Sequence, residues 1–365
     1  MTENKLSDVS DLTISEFDSR LGGNVDNDIA IHNGKKYGVT LNIETLVAVY
    51  NKTALANNPA RSLEEMVLAN KNQQNPVYNA TFGDLWYASV LYNTLLTSDI
   101  PTLVEVASDG GVKTVFDNNN SDFIDVAKVS YDFGQTLPPS MFDTKTRWVG
   151  GKGLYDYVLE NKTNWFLDGP WDYSKKYTSQ YGVLKTDGVT DEDTVFGIKR
   201  KDIAFDSIDK YQVNNKSWKH FKAGFLMSLN ARLDRQQSKL NSAGKTKKMV
   251  ASEFIKELLS VDYAYDWYKY AGKITPYKVG LDKIVTEAKK DSDSLVPELI
   301  DAIINGYANN SVRPKHHIFN GFWATYETNY NSRVFPHSIS KITDGEQYAK
   351  SLSADIANYI KGAIN

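Results

Sequence analysis

Trp165-Phe166-Leu167-Asp168-Gly169-Pro170-Trp171 joins three consecutive large apolar residues to a Gly-Pro break. Apolar side chains in an unbroken row, without alternation, suit a short strand covered on both faces. Gly-Pro then ends it, because proline has no N–H for a ladder and glycine permits a sharp turn. A strand that stops this way throws Trp171 out at its carboxyl edge, where open α/β sheets collect ligands. The same residues also read as a corner tryptophan buried in a turn.

The pattern extends outward from that strand. Upstream, Tyr37–Tyr50 is rich in β-branched and aliphatic residues and reads as two extended segments meeting at the polar Asn42 and Glu44. Residues 1–30 are polar, a loop with a short helix. Ser62 stands before a helix with Glu65 at the capping-box position. Leu85–Leu96 is an apolar, aromatic helix, and Ser121-Asp122 opens another that runs to about Leu137. Downstream, Lys185–Asp193 is a charged surface loop and Asn230–Lys248 an exposed helix-loop insertion. Ala251–Leu259, Ala264–Tyr270, Leu295–Tyr307 and Tyr348–Ile364 are helical. Early strands alternating with helices, followed by crowded helices, predict an α/β fold with a parallel sheet.

Length and composition set bounds. At 365 residues, 41% of them hydrophobic, the chain is long enough for two packed cores. A net charge of −3 argues against a nucleic-acid binder, which would show a basic excess. With no cysteine, disulfides, thiolate–zinc sites and cysteine nucleophiles are excluded. No apolar run approaches the roughly 18 residues of a membrane span. The 7 Trp, 22 Tyr and 15 Phe fill cores in the main, and some suit a sugar-binding surface, since aromatic rings offer apolar faces with polar edges.

Motifs for catalysis and metal binding are weak. None of His32, His220, His316, His317 and His337 stands at a metal-ligand spacing, and the neighbours His316 and His317 would face opposite ways in an extended chain. Asp117–Asp122 imitates the start of a calcium loop but has Lys128 where a bidentate Glu belongs, so it reads as a solvated turn. Gly150-Gly151-Lys152-Gly153 lacks the Ser or Thr and the spacing of a phosphate loop. Carboxylate pairs such as Glu44 and Asp168 would fit a glycosidase, yet any chain with 45 acidic residues offers such pairs. No metal or cofactor is expected.

Several tracts, in order, carry a family resemblance. Asn33-Gly34-Lys35-Lys36-Tyr37-Gly38-Val39, with Leu41–Tyr50 and Asn51-Lys52, is similar to the "NGKxYGVP…xExxxxxYNK" tract of the maltose-binding-like solute-binding proteins of bacterial ABC importers. Asp109-Gly110-Gly111 resembles their D-G-G turn, and Asp168–Trp171 their Asn/Asp-Gly-Pro-Trp segment. Leu258–Gly272 with Lys273-Ile274-Thr275-Pro276 resembles a late helix and "GxxP" loop, and Gly321-Phe322-Trp323 the segment bearing the last sugar-stacking aromatic. The resemblance runs from about residue 10 to the C-terminus.

That resemblance implies two α/β lobes joined by crossing strands, with a sugar held in the cleft between them. Crossings fall near Ile43–Glu44, Ala223–Phe225 and Tyr277–Lys290. They leave residues 1–43 and 222–290 as the N-terminal lobe, and 44–221 and 291–365 as the C-terminal lobe. Glu44 corresponds to a carboxylate for sugar hydroxyls, Trp171 and Trp323 to stacking aromatics, and Trp86 with Tyr87 to a polar-aromatic patch. Asp168, Asn42 and Asn79 fall near the cleft. Glu327 stands where maltose binders carry an Arg, which argues against maltodextrin itself. The family's members begin with a signal or lipoprotein segment and about two βα units ahead of the first tract, so the first lobe is expected to be incomplete and the chain marginally soluble. The implied role is sugar binding at the extracellular face and delivery to importer permease subunits, with membrane attachment only through an anchor outside these residues. The rivals are a glycoside-acting enzyme and a non-transport surface or adhesion protein.

Overall fold

The computed structural model describes residues 5–107, 109–137, 163–173, 194–195, 197–236, 238–290, 295–334 and 342–364. The expectations for Gly150–Gly153, Lys185–Asp193 and His337 lie outside them. The helices used below are α1 (Val25–Ile29), α2 (Leu63–Asn70), α3 (Leu85–Tyr92), α4 (Ser121–Gln135), α5 (Lys247–Leu258), α6 (Val261–Ala271), α7 (Lys278–Lys290), α8 (Leu295–Asn309), α9 (Ile318–Arg333) and α10 (Gly345–Ile364). The strands used below are β1 (Val39–Thr40), β2 (Val47–Asn51), β3 (Tyr78–Asn79), β4 (Trp165–Asp168), β5 (Ile203–Ser207), β6 (Phe221–Lys222), β7 (Leu226–Met227) and β8 (Ser311–Val312).

The helix starts follow local chemistry. The Ser62 hydroxyl accepts from the Glu65 N–H at 3.2 Å and the Glu65 carboxylate accepts from the Ser62 N–H at 3.2 Å, so the capping box is complete. The calcium-like run is a helix start: the Asn120 side chain accepts from the Asp122 N–H at 3.0 Å, and Asp117 holds the Asn119 N–H at 2.9 Å.

Trp165–Asp168 is a strand, buried along its whole length, in a four-stranded sheet of order β5-β2-β4-β3. The expected parallel sheet is corrected. β5 with β2 and β2 with β4 run antiparallel, setting Val49 opposite both Phe205 and Phe166, and only β3 with β4 is parallel. An unbroken apolar run reports burial on both faces and carries no information on direction, which the long connections decide. Helix α8 packs on β5 and β2, while α4 packs on α2 and α10, and α10 on α9. One large apolar cluster joins this sheet to α8, α9 and α10. A smaller separate one gathers Val9, Leu12, Val39, Leu229, Ile255 and Leu259 beneath the N-terminal segment and α5.

Three extended stretches run side by side next to the sheet. β1 pairs with β7, Glu44 with Ala223, and Ile43 with Ile274, all antiparallel, and β6 lies parallel to β8. Their backbones approach so closely that a Cβ at Gly224 would meet the Asn42 carbonyl oxygen at 2.0 Å. The third crossing, expected as a strand through Tyr277–Lys290, is helical from Lys278, and the extended partner of Ile43 lies just upstream. The helical spacing of the buried Leu281, Ile284 and Ala288 accounts for that.

Candidate functional site

The crossing stretches carry a run of polar and aromatic side chains. Glu44 lies in the middle of one, where its backbone pairs with Ala223 and its carboxylate meets Lys273 at 2.6 Å. Asn42 is fully buried: its amide donates to Glu44 at 3.1 Å and its carbonyl accepts from the Phe225 N–H at 3.0 Å. The Lys273 ammonium also stands 3.9 Å from the centre of the exposed Phe225 ring, a cation–π contact. Lys273 follows Gly272, the left-handed residue (φ +63°) that ends α6. A Cβ on Gly272 would lie 2.8 Å from the Trp171 backbone, which brings the Gly-Pro-Trp turn against this loop.

Trp171 is half-buried on the rim of the main core. Asp168, at the end of β4, is fully buried, and its oxygens accept from the Gly169 N–H at 2.8 Å and the Tyr173 hydroxyl at 3.1 Å. Its carboxylate shapes the turn that presents Trp171. The Tyr268 hydroxyl donates to the Tyr173 carbonyl at 3.0 Å and ties α6 to the same turn. Asn79 is fully buried in β3, opposite Phe166 of β4.

On the other side of Ala223, β6 brings in a second group. The half-buried Trp86, at the start of α3, lies 6.2 Å from the buried Phe221, and Phe221 lies 6.5 Å from Trp323 of α9 in a stacked geometry. Phe319 meets the half-buried Trp323 edge-on at 5.8 Å. The Trp323 indole N–H donates to Glu327 at 2.8 Å, one helical turn on. Arg313, just past β8, sets its guanidinium 5.2 Å from the Trp323 ring centre and 5.4 Å from that of Phe319. Desolvation beside those rings lowers its pKa, and it remains a cation at neutral pH. Tyr87 packs on the core behind Trp86.

His220 anchors this wall. It is fully buried, and burial pushes its pKa from 6.5 down to about 3, against the pull of the Trp86 and Phe221 carbonyls. Nε2 lies 2.9 Å from the Trp86 carbonyl, while Nδ1 lies 3.1 Å from the Phe221 carbonyl and 3.2 Å from the Thr45 hydroxyl, so both ring nitrogens face oxygen partners and the single N–H of the neutral ring serves one of the two carbonyls. Thr45 in turn accepts from the Asn310 amide at 2.5 Å, and Asn310 accepts from the His220 N–H at 2.7 Å. The network links the first crossing to β6, to the chain before β8 and to α3.

Glu44, Asn42, Trp171, Trp86, Trp323 and Glu327 therefore lie along one chain of contacts through Gly272-Lys273, Ala223 and Phe221. Asp168 shapes the turn that carries Trp171, and Asn79 is buried in β3 beside the same strand. Lys273, Phe225, Phe221 and Arg313 escaped the sequence reading, because their part comes from contacts between distant segments. Lys273 had a weak signal in the Gly-Lys that closes α6. His316 and His317, at a turn before α9, hold their rings 4.3 Å apart rather than on opposite faces, since the chain there is not extended. Among the described residues no group of three or more His, Asp or Glu is gathered as for a metal ion.

Solved structures share this architecture. The maltose-binding periplasmic protein MalE from Listeria monocytogenes, in complex with maltose, is similar with a TM-score of 0.62 at 17% identity, covering 99% of this chain and 80% of that one. A cyclo/maltodextrin-binding protein complexed with maltotetraose gives 0.63 at 17% identity, over 100% and 79% of the two chains. MalX from Streptococcus pneumoniae, in complex with maltopentaose, gives 0.61 at 18%, over 99% and 82%. No protein-family model matches the sequence, and no curated protein does. The chain has the α/β, two-lobed fold of the periplasmic binding proteins.

Proposed function

We propose that this protein binds a carbohydrate of oligosaccharide size in the cleft along its crossing strands, and hands it to an ABC importer at the extracellular face of the membrane. The observation that carries this reading is the chain of contacts that joins Trp171, Glu44, Trp86 and Trp323 through the crossing backbone and the buried Phe221. Half-exposed indoles take the apolar faces of sugar rings, and Glu44, Lys273 and Glu327 offer acceptors and donors for hydroxyls. The likeness in fold to proteins solved with maltose, maltotetraose and maltopentaose favours the same ligand class. The lobes are residues 1–43 with 222–290 and residues 44–221 with 291–365, hinged at the crossings, and closure buries the sugar. The permease subunits of the importer are the partners that receive it.

Binding rather than catalysis fits the carboxylates. Glu44 is ion-paired with Lys273 and Asp168 is taken up by its own turn, so neither is poised as the acid or base of a glycosidase. Titration of neutral and acidic oligosaccharides against intrinsic tryptophan fluorescence is the test. Saturable change with at least one saccharide and no released product is the expected result, and silence across a broad panel refutes the reading.

A further inference from the structure

We propose, resting on the carbohydrate reading above, that the ligand carries a carboxylate, as in a uronic-acid oligosaccharide, and that Arg313 receives it. Arg313 is exposed, and it lies over Trp323 and Phe319 in the wall assigned to the sugar. The neighbouring cations already have partners: Lys273 is on Glu44 at 2.6 Å, Lys222 on Asp28 at 3.1 Å, and Lys315 on the Ile31 carbonyl at 2.9 Å. No carboxylate among the described residues forms an ion pair with Arg313. Glu327, beside the same indole, is occupied at its edge by the Trp323 N–H at 2.8 Å.

This arrangement suits an anion better than a neutral sugar. The ring faces hold the guanidinium through their quadrupole and use none of its N–H donors. Those donors form a rigid planar fork that matches a carboxylate in bidentate fashion. Partial desolvation beside the rings raises the cost of a cation without a counter-ion, and a ligand carboxylate relieves it. A hydroxyl offers no charge to set against the cation. The Trp323 edge, with Glu327 on it, is left to hydroxyl donors, so one indole separates an acid-seeking face from a hydroxyl-seeking edge.

The experiment compares uronic-acid oligosaccharides with their carboxyl-reduced neutral counterparts by calorimetry at low and high salt, on the wild type, Arg313→Gln and Arg313→Lys. The acidic member of a bound pair is expected to bind about ten- to a hundredfold more tightly at low salt. The advantage shrinks with salt, disappears in Arg313→Gln and survives in part in Arg313→Lys. Unchanged thermal midpoints show that the variants fold. If the neutral member binds as well as the acidic one, or if Arg313→Gln keeps the preference, the carboxylate assignment is overturned while the carbohydrate reading stands. If no saccharide of either kind binds, the carbohydrate reading falls and takes this inference with it.

Discussion

Acidification from pH 7 to pH 5 should weaken the fold through His220. Burial pushes this imidazole from 6.5 to about 3, so between those values the unfolded chain holds a proton that the folded chain refuses. A group with a depressed folded pKa contributes stability that is fully present above the unfolded value and lost as pH falls through the window. Each pH unit inside it removes at most about 1.4 kcal/mol, so the loss by pH 5 is about 2 kcal/mol and the whole window is worth about 5 kcal/mol. Asp18, held low by Arg20, and Asp206, whose burial is outweighed by Lys210 and Arg61, lose their contributions only as pH falls below their ordinary 3.8. Burial raises the Asp132 pKa, a shift common to the wild type and the His220→Gln variant, so the difference between them from pH 7 to pH 5 reports His220. Urea unfolding at both pH values, on the wild type and His220→Gln, measures it. The wild type should lose about 2 kcal/mol, whereas the variant, already weaker at pH 7, should lose little. His316, also lowered, is common to both proteins and cancels in the difference. Equal pH slopes in the two would refute the buried neutral imidazole.

Other perturbations test the wall and its supports. Gly272→Ala combines a left-handed φ with a contact of 2.8 Å on the Trp171 backbone, so it should cost about 1–2 kcal/mol by thermal unfolding and weaken saccharide binding together. Trp171→Ala should reduce saccharide affinity about tenfold in a fluorescence or calorimetric titration, with a smaller effect on stability because its ring is half-exposed. Ser62→Ala removes a complete capping box far from the cleft and should cost about 1 kcal/mol in urea unfolding with unchanged ligand affinity.

Much of the local structure was legible because it rests on short-range rules. The Ser62–Glu65 box, the strand at Trp165 and the helices at Leu85, Ser121 and Leu295 arise from caps and apolar spacing within a few residues. Leu281, Ile284 and Ala288 stand at the helical spacing of α7, a signal weaker than the crossing expected there. The polar Asn42 and Glu44 marked an interruption in an apolar tract, which drew attention to the crossing. That Asn42 spends its side chain on Phe225 and Glu44 was not legible, because the partner lies 183 residues away.

The sequence by itself determined the strand at Trp165 with its burial on both faces, the helices at Leu85, Ser121 and Leu295, and that an indole follows a sharp turn at Trp171. Only the tertiary structure decided strand direction, the meeting of Glu44 with Lys273, and the placing of Arg313 over Trp323. The physical reason is range. Burial and capping are recorded in neighbouring residues, whereas an antiparallel pairing, an ion pair or a cation on an aromatic face depends on how long connections fold back, and no local pattern records that.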